Sequence, residues 1–157
     1  ANQSLNEIRY MIGSGNINFS DDFEKMVNEI AQTFETNFGI KTNVYTASKK
    51  IENLNKKAKT HLIRILQESL SNISRHSNAS QVEIKIIDGI DDFSFIICDN
   101  GQGFDVKEVE QKNKTDSVKH FGLGNIKKRV NIIGGTVDFI NKGGLTIAIK
   151  IKDSVYR

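Results

Sequence analysis

Apolar positions recur along this chain with two periods. At helical spacing, about 100° per residue, Leu5, Ile8 and Ile12 mark a short first helix that "GSGN" (13–16) stops. Phe23, Met26, Val27, Ile30 and Phe34 give the inner face of a second helix, capped by Ser20 or Asp21 and ended by Gly39. Leu62, Leu66, Leu70 and Ile73 form the core-facing stripe of a third helix, predicted over 56–75. "GLGNIKKRVNII" reads as a further helix with a glycine-rich start. Between these, "IKTNVYTA", "QVEIKIID", "FSFIICD", "GGTVDFI" and "LTIAIKI" read as strands. "GIDD" and "NKGG" supply the turns of two hairpins, whereas 105–121 is polar, charged and weakly periodic, the signature of a mobile loop. The fold class that follows is α+β: a two-layer sandwich of one mixed, mostly antiparallel sheet with about three helices on one face.

Composition narrows the functional classes. The 157 residues suit one domain with a real core, and 38% hydrophobic with 26% charged residues is ordinary for a globular protein. No apolar run approaches the roughly 18 residues of a membrane span. The single cysteine, Cys98, builds neither a disulfide framework nor a zinc site, which fits a reducing, cytoplasmic setting and a buried inert thiol. The net charge of +3 is spread out, with one denser patch at 127–129 and no interleaved aromatics, so a nucleic-acid partner is not expected.

Three stretches remain that core packing does not explain. In "QESLSNISRHSNAS", Glu68, Asn72, Arg75 and Ala79 lie opposite the apolar stripe, with His76 at the margin. Such a face is either solvated or the wall of a pocket for a charged ligand. In "CDNGQGFD", Asp99 ends an apolar strand, so its carboxylate needs partners, such as the exocyclic amino group of a purine. Gly101 and Gly103 after it permit a sharp turn and close approach of a ligand to the main chain. In "HFGLGNIKKRV", Gly122 and Gly124 open a helix whose free N–H groups suit phosphate. The spacing matches neither a Walker loop nor a dinucleotide fingerprint.

Taken in order, these stretches resemble the catalytic, ATP-binding domain of bacterial sensor histidine kinases. The likeness is greatest to the branch whose response regulators carry helix-turn-helix domains. The wider group, with the Bergerat nucleotide-binding fold, includes gyrase-type, Hsp90-type and MutL-type ATPases. "QESLSNISRHSNAS" resembles the family's asparagine box, "DNGQGFD" its first glycine box and "HFGLGNI" its second, while "GGLTIAIKI" resembles the closing hairpin. The resemblance covers about residues 20–152. It implies ATP and Mg²⁺ as cofactors, with Asn72 on the metal, Arg75 and His76 near phosphate or ribose, and Asp99 on the adenine amino group. Gly101 and Gly103 would shape the base pocket, and 104–121 would form a lid. Gly122 and Leu123 would meet the phosphates, followed by Gly124 and Asn125. Thr146 would reach adenine through water. His120 stands where the family has its first glycine, and would either touch phosphate or pack the lid. Glu68 would act either as a base or by ordering metal-bound water.

The same resemblance reads residues 1–19 as the end of a dimerisation helix with its linker, and 20–157 as the catalytic domain. None of His61, His76 and His120 sits in the context of a phosphoacceptor. The implied partners are therefore the parent's own dimerisation region, a second copy in a homodimer, and a response regulator. The sequence leaves open whether that parent is membrane-anchored. Two rival readings are a serine kinase or ATPase of the same fold, and a nucleotide-binding module without turnover.

Overall fold

A computed structural model describes residues 22–103 and 122–156. Helix α1 spans Phe23–Phe38, and its cap is Asp22, whose carboxylate accepts the Glu24 N–H at 2.9 Å. Ser20, Asp21 and Asp22 all carry a capping oxygen, so pattern alone placed the cap one or two residues early. What fixes it is Phe23, fully buried at the first helical position. Strand β1 is Lys41–Ala47, followed by a single 3₁₀ turn at Ile51–Asn53. Helix α2 spans Lys56–Asn72, with the Asn55 side chain accepting the Ala58 N–H at 2.8 Å. It widens into a π turn over Ile73–Ser77 and stops at Asn78, which has a left-handed φ of 52°. Strands β2 (Gln81–Asp88) and β3 (Asp92–Asp99) form the first hairpin. Helix α3 (Leu123–Ile132) leads into β4 (Thr136–Asn141) and β5 (Leu145–Lys152), the second hairpin, and a short α4 (Asp153–Tyr156) ends the described chain.

The sheet order is β1-β2-β3-β5-β4. Both hairpins pair antiparallel, as their short turns require, and β5 joins them by pairing with β3. Only β1 and β2 run parallel, because the α2 crossover between them carries the chain back to the same end. The fold is thus the expected mixed, mostly antiparallel sheet. Alternation sets the inner face: Ile84 pairs with Ile97, Ile97 with Ile147, and all three are buried against the α2 stripe of Leu62, Leu66 and Leu70. Each such side chain contributes about 1.5–3 kcal/mol on burial. The other sheet face is left more open, with Tyr45, Ile87 and Ile140 exposed. Among the described residues no helix is long and apolar enough to cross a membrane.

At the turn end of the first hairpin, Lys50 ties three segments together. Its ammonium donates to the carbonyls of Gly89, Ile90 and Asp92 at 2.9–3.1 Å and to the Asp153 carboxylate at 2.8 Å. Beside it, Asp88 accepts from the Ser48 hydroxyl and the Lys49 and Lys50 N–H groups. Burial works against the Asp88 charge, but those donors and the Lys50 cation outweigh it and hold the carboxyl below its ordinary value of 3.8. A depressed carboxyl stabilises the fold above its unfolded pKa, and that contribution is lost as pH falls through the lower folded value. Lys50→Met removes the donor from three carbonyls and one carboxylate. It should cost about 2 kcal/mol, seen as a fall in melting temperature of roughly 4–8 °C. An unchanged melting temperature would show that the cluster only decorates the surface.

Candidate functional site

The carboxy-terminal half of α2 is buried on nearly every side. All residues from 65 to 71 are inaccessible, including Gln67, Glu68, Ser69 and Ser71. The face that carries Glu68 is therefore not solvated: α2 lies over the sheet with α1 and α3 on its flanks. Ser69, Asn72, Ile73, His76 and Ser77 fall on one face of the helix, each three or four residues from another of the set, and line one cavity between this helix and the sheet. Ile97 and Asp99 of β3, Gly103, and Leu145 and Ile147 of β5 complete it. Apolar walls with a few convergent polar groups are the usual composition of a small-molecule site.

Asp99 is the buried polar end of this cavity, only 5% exposed. Burial raises its pKa above the ordinary 3.8, and the N–H groups of Gly101 and Leu145 pull the other way without cancelling it. The Gly101 bond is 2.8 Å. The chain around this carboxylate is packed too tightly for side chains. A Cβ on Gly101 would stand 2.2 Å from the Ser77 carbonyl oxygen, and one on Gly144 would stand 1.9 Å from the carbonyl oxygen of Asp99. Glycine at these positions lets the end of α2, the end of β3 and the second hairpin turn meet. Side chains then fasten the junction. Asn100 accepts the N–H groups of Ser80 and Gln81, each at 3.0 Å, and donates to the Ser80 hydroxyl. Gln102 donates through its backbone to Ser77 at 2.8 Å and through its side chain to the His76 carbonyl at 3.1 Å.

Glu68 lies one turn before Asn72 and is 7% exposed. It abuts Gly122, the left-handed cap of α3 with φ of 60°: a Cβ there would come within 2.2 Å of its Oε1. The start of α3 is therefore set directly against the Glu68 carboxylate, with no capping side chain at Gly122. Further along, Arg129 Nη1 of α3 is 3.3 Å from His61 Nδ1 of α2. The guanidinium can only donate, so this ring nitrogen accepts. Burial first, then the charges of Arg129 and Lys57, lower the His61 pKa and favour that neutral form.

The structure thus brings Asn72, His76, Asp99 and Gly103 to one cavity, and seats Glu68 against Gly122. Gly101 acts from behind the wall, by its N–H and its lack of a Cβ. Leu123 is buried with the core, whereas Gly124 and Asn125 are exposed at the head of α3. Arg75 is exposed and does not line the cavity. Thr146, expected to reach adenine through water, does not line the cavity: its hydroxyl lies 3.1 Å from Cys98 Sγ, on the sheet face away from the helices. The period of two along β5 hands the cavity to Leu145 and Ile147 instead. His120, the proposed lid 104–121 and the segment 1–19 fall outside the described residues. Sequence reasoning missed Ser69, Ser77 and the apolar lining residues. Ile73, Ile97 and Ile147 carry no signal beyond that of core, and the two serines, bonded to their own helix, carry none beyond that of helix packing.

Gly101→Ala should destabilise by about 1–3 kcal/mol, the usual range for overpacking a dense site, and should disrupt the cavity. Gly124→Ala is the matched comparison, because nothing lies within 4 Å of its added Cβ. Melting temperatures of the two variants test this. Equal values for both would mean that the Gly101 junction yields without cost.

The sequence profile of the family described as histidine kinase-, DNA gyrase B-, and HSP90-like ATPase matches residues 57–155. The chain is 38% identical over 91 residues to the signal transduction histidine-protein kinase/phosphatase DegS of Bacillus subtilis, covering 58% of this chain and 23% of that one. It is 32% identical over 103 residues to the sensor histidine kinase LiaS of the same organism, covering 66% and 27% respectively. It therefore spans about a quarter of the length of these curated relatives. A histidine kinase domain from the Erythrobacter litoralis EL346 blue-light activated histidine kinase superposes with a TM-score of 0.64, over 98% of this chain and 76% of that one. Identity there is 14%, so the likeness is one of fold.

Proposed function

Because this chain belongs to the histidine kinase-, DNA gyrase B-, and HSP90-like ATPase family, we propose that it binds ATP with Mg²⁺ in the Asp99 cavity and donates the γ-phosphoryl group to a histidine of a dimerisation region. A response regulator then receives the phosphoryl group. On this reading the chain works in the cytoplasm, as part of a homodimeric sensor kinase. The observation that carries the reading is a buried carboxylate in a cavity with apolar walls and a few convergent polar groups, with Asn72 and Glu68 on the same helix leading toward the start of α3.

The residues fit these ligands. The Asp99 carboxylate accepts from an exocyclic amino group, and Ile73, Ile97, Leu145 and Ile147 cover an aromatic base. The head of α3 offers backbone N–H groups to phosphate. Among the described residues no three carboxylate, imidazole or thiol ligands converge. Asn72, through its amide oxygen, would be the residue to hold a magnesium ion, with phosphate and water supplying the other ligands as is usual beside nucleotides. When bound, it neutralises phosphate charge. Glu68 holds the turn at Gly122 from below and orders the groups around it. The protein's contribution to transfer is then positioning and charge compensation rather than covalent chemistry. His76 stands at the exposed edge of the same cavity, where ribose and phosphate leave the base pocket.

Asp99→Asn should weaken ATP binding by roughly tenfold to a hundredfold, the loss of a charge-assisted bond worth about 1.5–3 kcal/mol. In the unsubstituted chain, ATP affinity should fall as pH drops through a midpoint above the ordinary aspartate value of 3.8, since the protonated carboxyl loses its acceptor role. Calorimetric titration across pH tests both, and an affinity unchanged in the variant removes Asp99 from the base site. Transfer is tested by supplying a dimerisation fragment from a relative and following acid-labile phosphate. Binding without any transfer would favour the module without turnover.

A further inference from the structure

The cavity's buried polar side chains present oxygen alone. Besides Asp99 these are Ser69, 1% exposed, and Ser77, 8% exposed, and both line the cavity. Each serine has already placed its proton. Ser69 Oγ donates to the Ile65 carbonyl at 2.7 Å, and Ser77 Oγ donates to the Ile73 carbonyl at 3.0 Å. Ser77 Oγ also accepts the Ala79 N–H at 3.1 Å, which occupies it in closing the end of α2. Ser69 Oγ has no such second partner among the bonds of the described residues, and its lone pairs remain. Asp99 is fixed as an acceptor by the two N–H groups that reach it from Gly101 and Leu145. A hydroxyl whose proton is committed to its own helix behaves toward a ligand as an acceptor only.

We infer that Ser69 is a specificity-determining residue of the base site: together with Asp99 it forms an acceptor-only wall that takes a 6-amino purine and rejects a 6-keto purine. This rests on the nucleotide reading proposed above. An amino group has two hydrogens to offer. Asp99 takes one, and Ser69, directly or through one water, takes the other. A keto oxygen in the same place faces lone pairs on both sides, and the single N1–H beside it can reach at most one of the two buried acceptors, so one is left unpaired against an oxygen, which is the costly arrangement. The Asn72 and His76 donors do not rescue it, since they stand at the outer, solvent-reached part of the cavity.

Titrating the intact chain with ATP and with inosine triphosphate tests the inference, because the latter carries a keto oxygen at position 6 and a proton on N1 where ATP has an amino group and a bare N1. The unsubstituted chain should favour ATP by at least about tenfold. Ser69→Ala should weaken ATP by roughly threefold to tenfold while leaving inosine triphosphate unchanged or tighter, so the preference narrows. Ser48→Ala, which cuts the bonds to Asp88 and the Ile51 N–H outside the cavity, should lower the melting temperature without altering the ratio. A Ser69→Ala chain that melts normally and keeps the original ratio overturns the role of Ser69 and leaves the nucleotide reading standing. An unsubstituted chain that binds neither nucleotide overturns both.

Discussion

The burial of one carboxylate organises this domain. Asp99 ends a strand whose alternate side chains are all core, so its charge must be met where little solvent reaches. Meeting it requires main-chain N–H groups at close range, and those are supplied by Gly101 and by Leu145. Close range in turn requires that Gly101 and Gly144 carry no Cβ, because the Ser77 and Asp99 carbonyls occupy that space. Three separate parts of the chain, the π turn of α2, the end of β3 and the β4–β5 turn, are drawn together by this one demand. The cavity is the space their junction encloses.

The acceptor-rich cavity and the set of α3 are linked through α2. Its residues 65–71 are wholly buried, so this helix has little freedom to shift. Glu68 carries that rigidity to Gly122, and the His61–Arg129 contact fixes the far end of α3. The Asp99 wall of the cavity and the head of α3 are thus held in one frame by successive turns of a single helix. That is the arrangement required to place two ends of a long ligand at a fixed separation.

Much of this was legible in the sequence. Periods of 3.6 and 2 marked every described helix and strand of any length, and the polar residues of α2 announced themselves by standing opposite a good apolar stripe. The errors have physical causes. Thr146 was expected to reach adenine through water, but a shift of one residue in a strand reverses the face, and the pairing with Cys98 sets it beside that thiol rather than in the cavity lining. Arg75 was placed with Asn72 on an ideal wheel, yet α2 widens at Ile73, which changes the bearing of everything after it. Ser69 and Ser77 escaped notice because a buried serine bonded to its own helix looks inert until the cavity beside it is seen.

The insertion of β5 between β3 and β4 also governs how the chain comes by its shape during synthesis. The β2–β3 hairpin closes locally on a timescale of about microseconds, and β1 can pair with β2 as soon as α2 has emerged. The wall made by Leu145 and Ile147 belongs to the final strand of the sheet, which must reach back past α3 to pair with β3. A nascent chain stopped short of β5 would already hold α2, Asn72 and Asp99, but Asp99 would lack the Leu145 N–H and the cavity would lack its floor. Competence for ligand arrives only with completion of the sheet, so an interrupted product is silent rather than partly active.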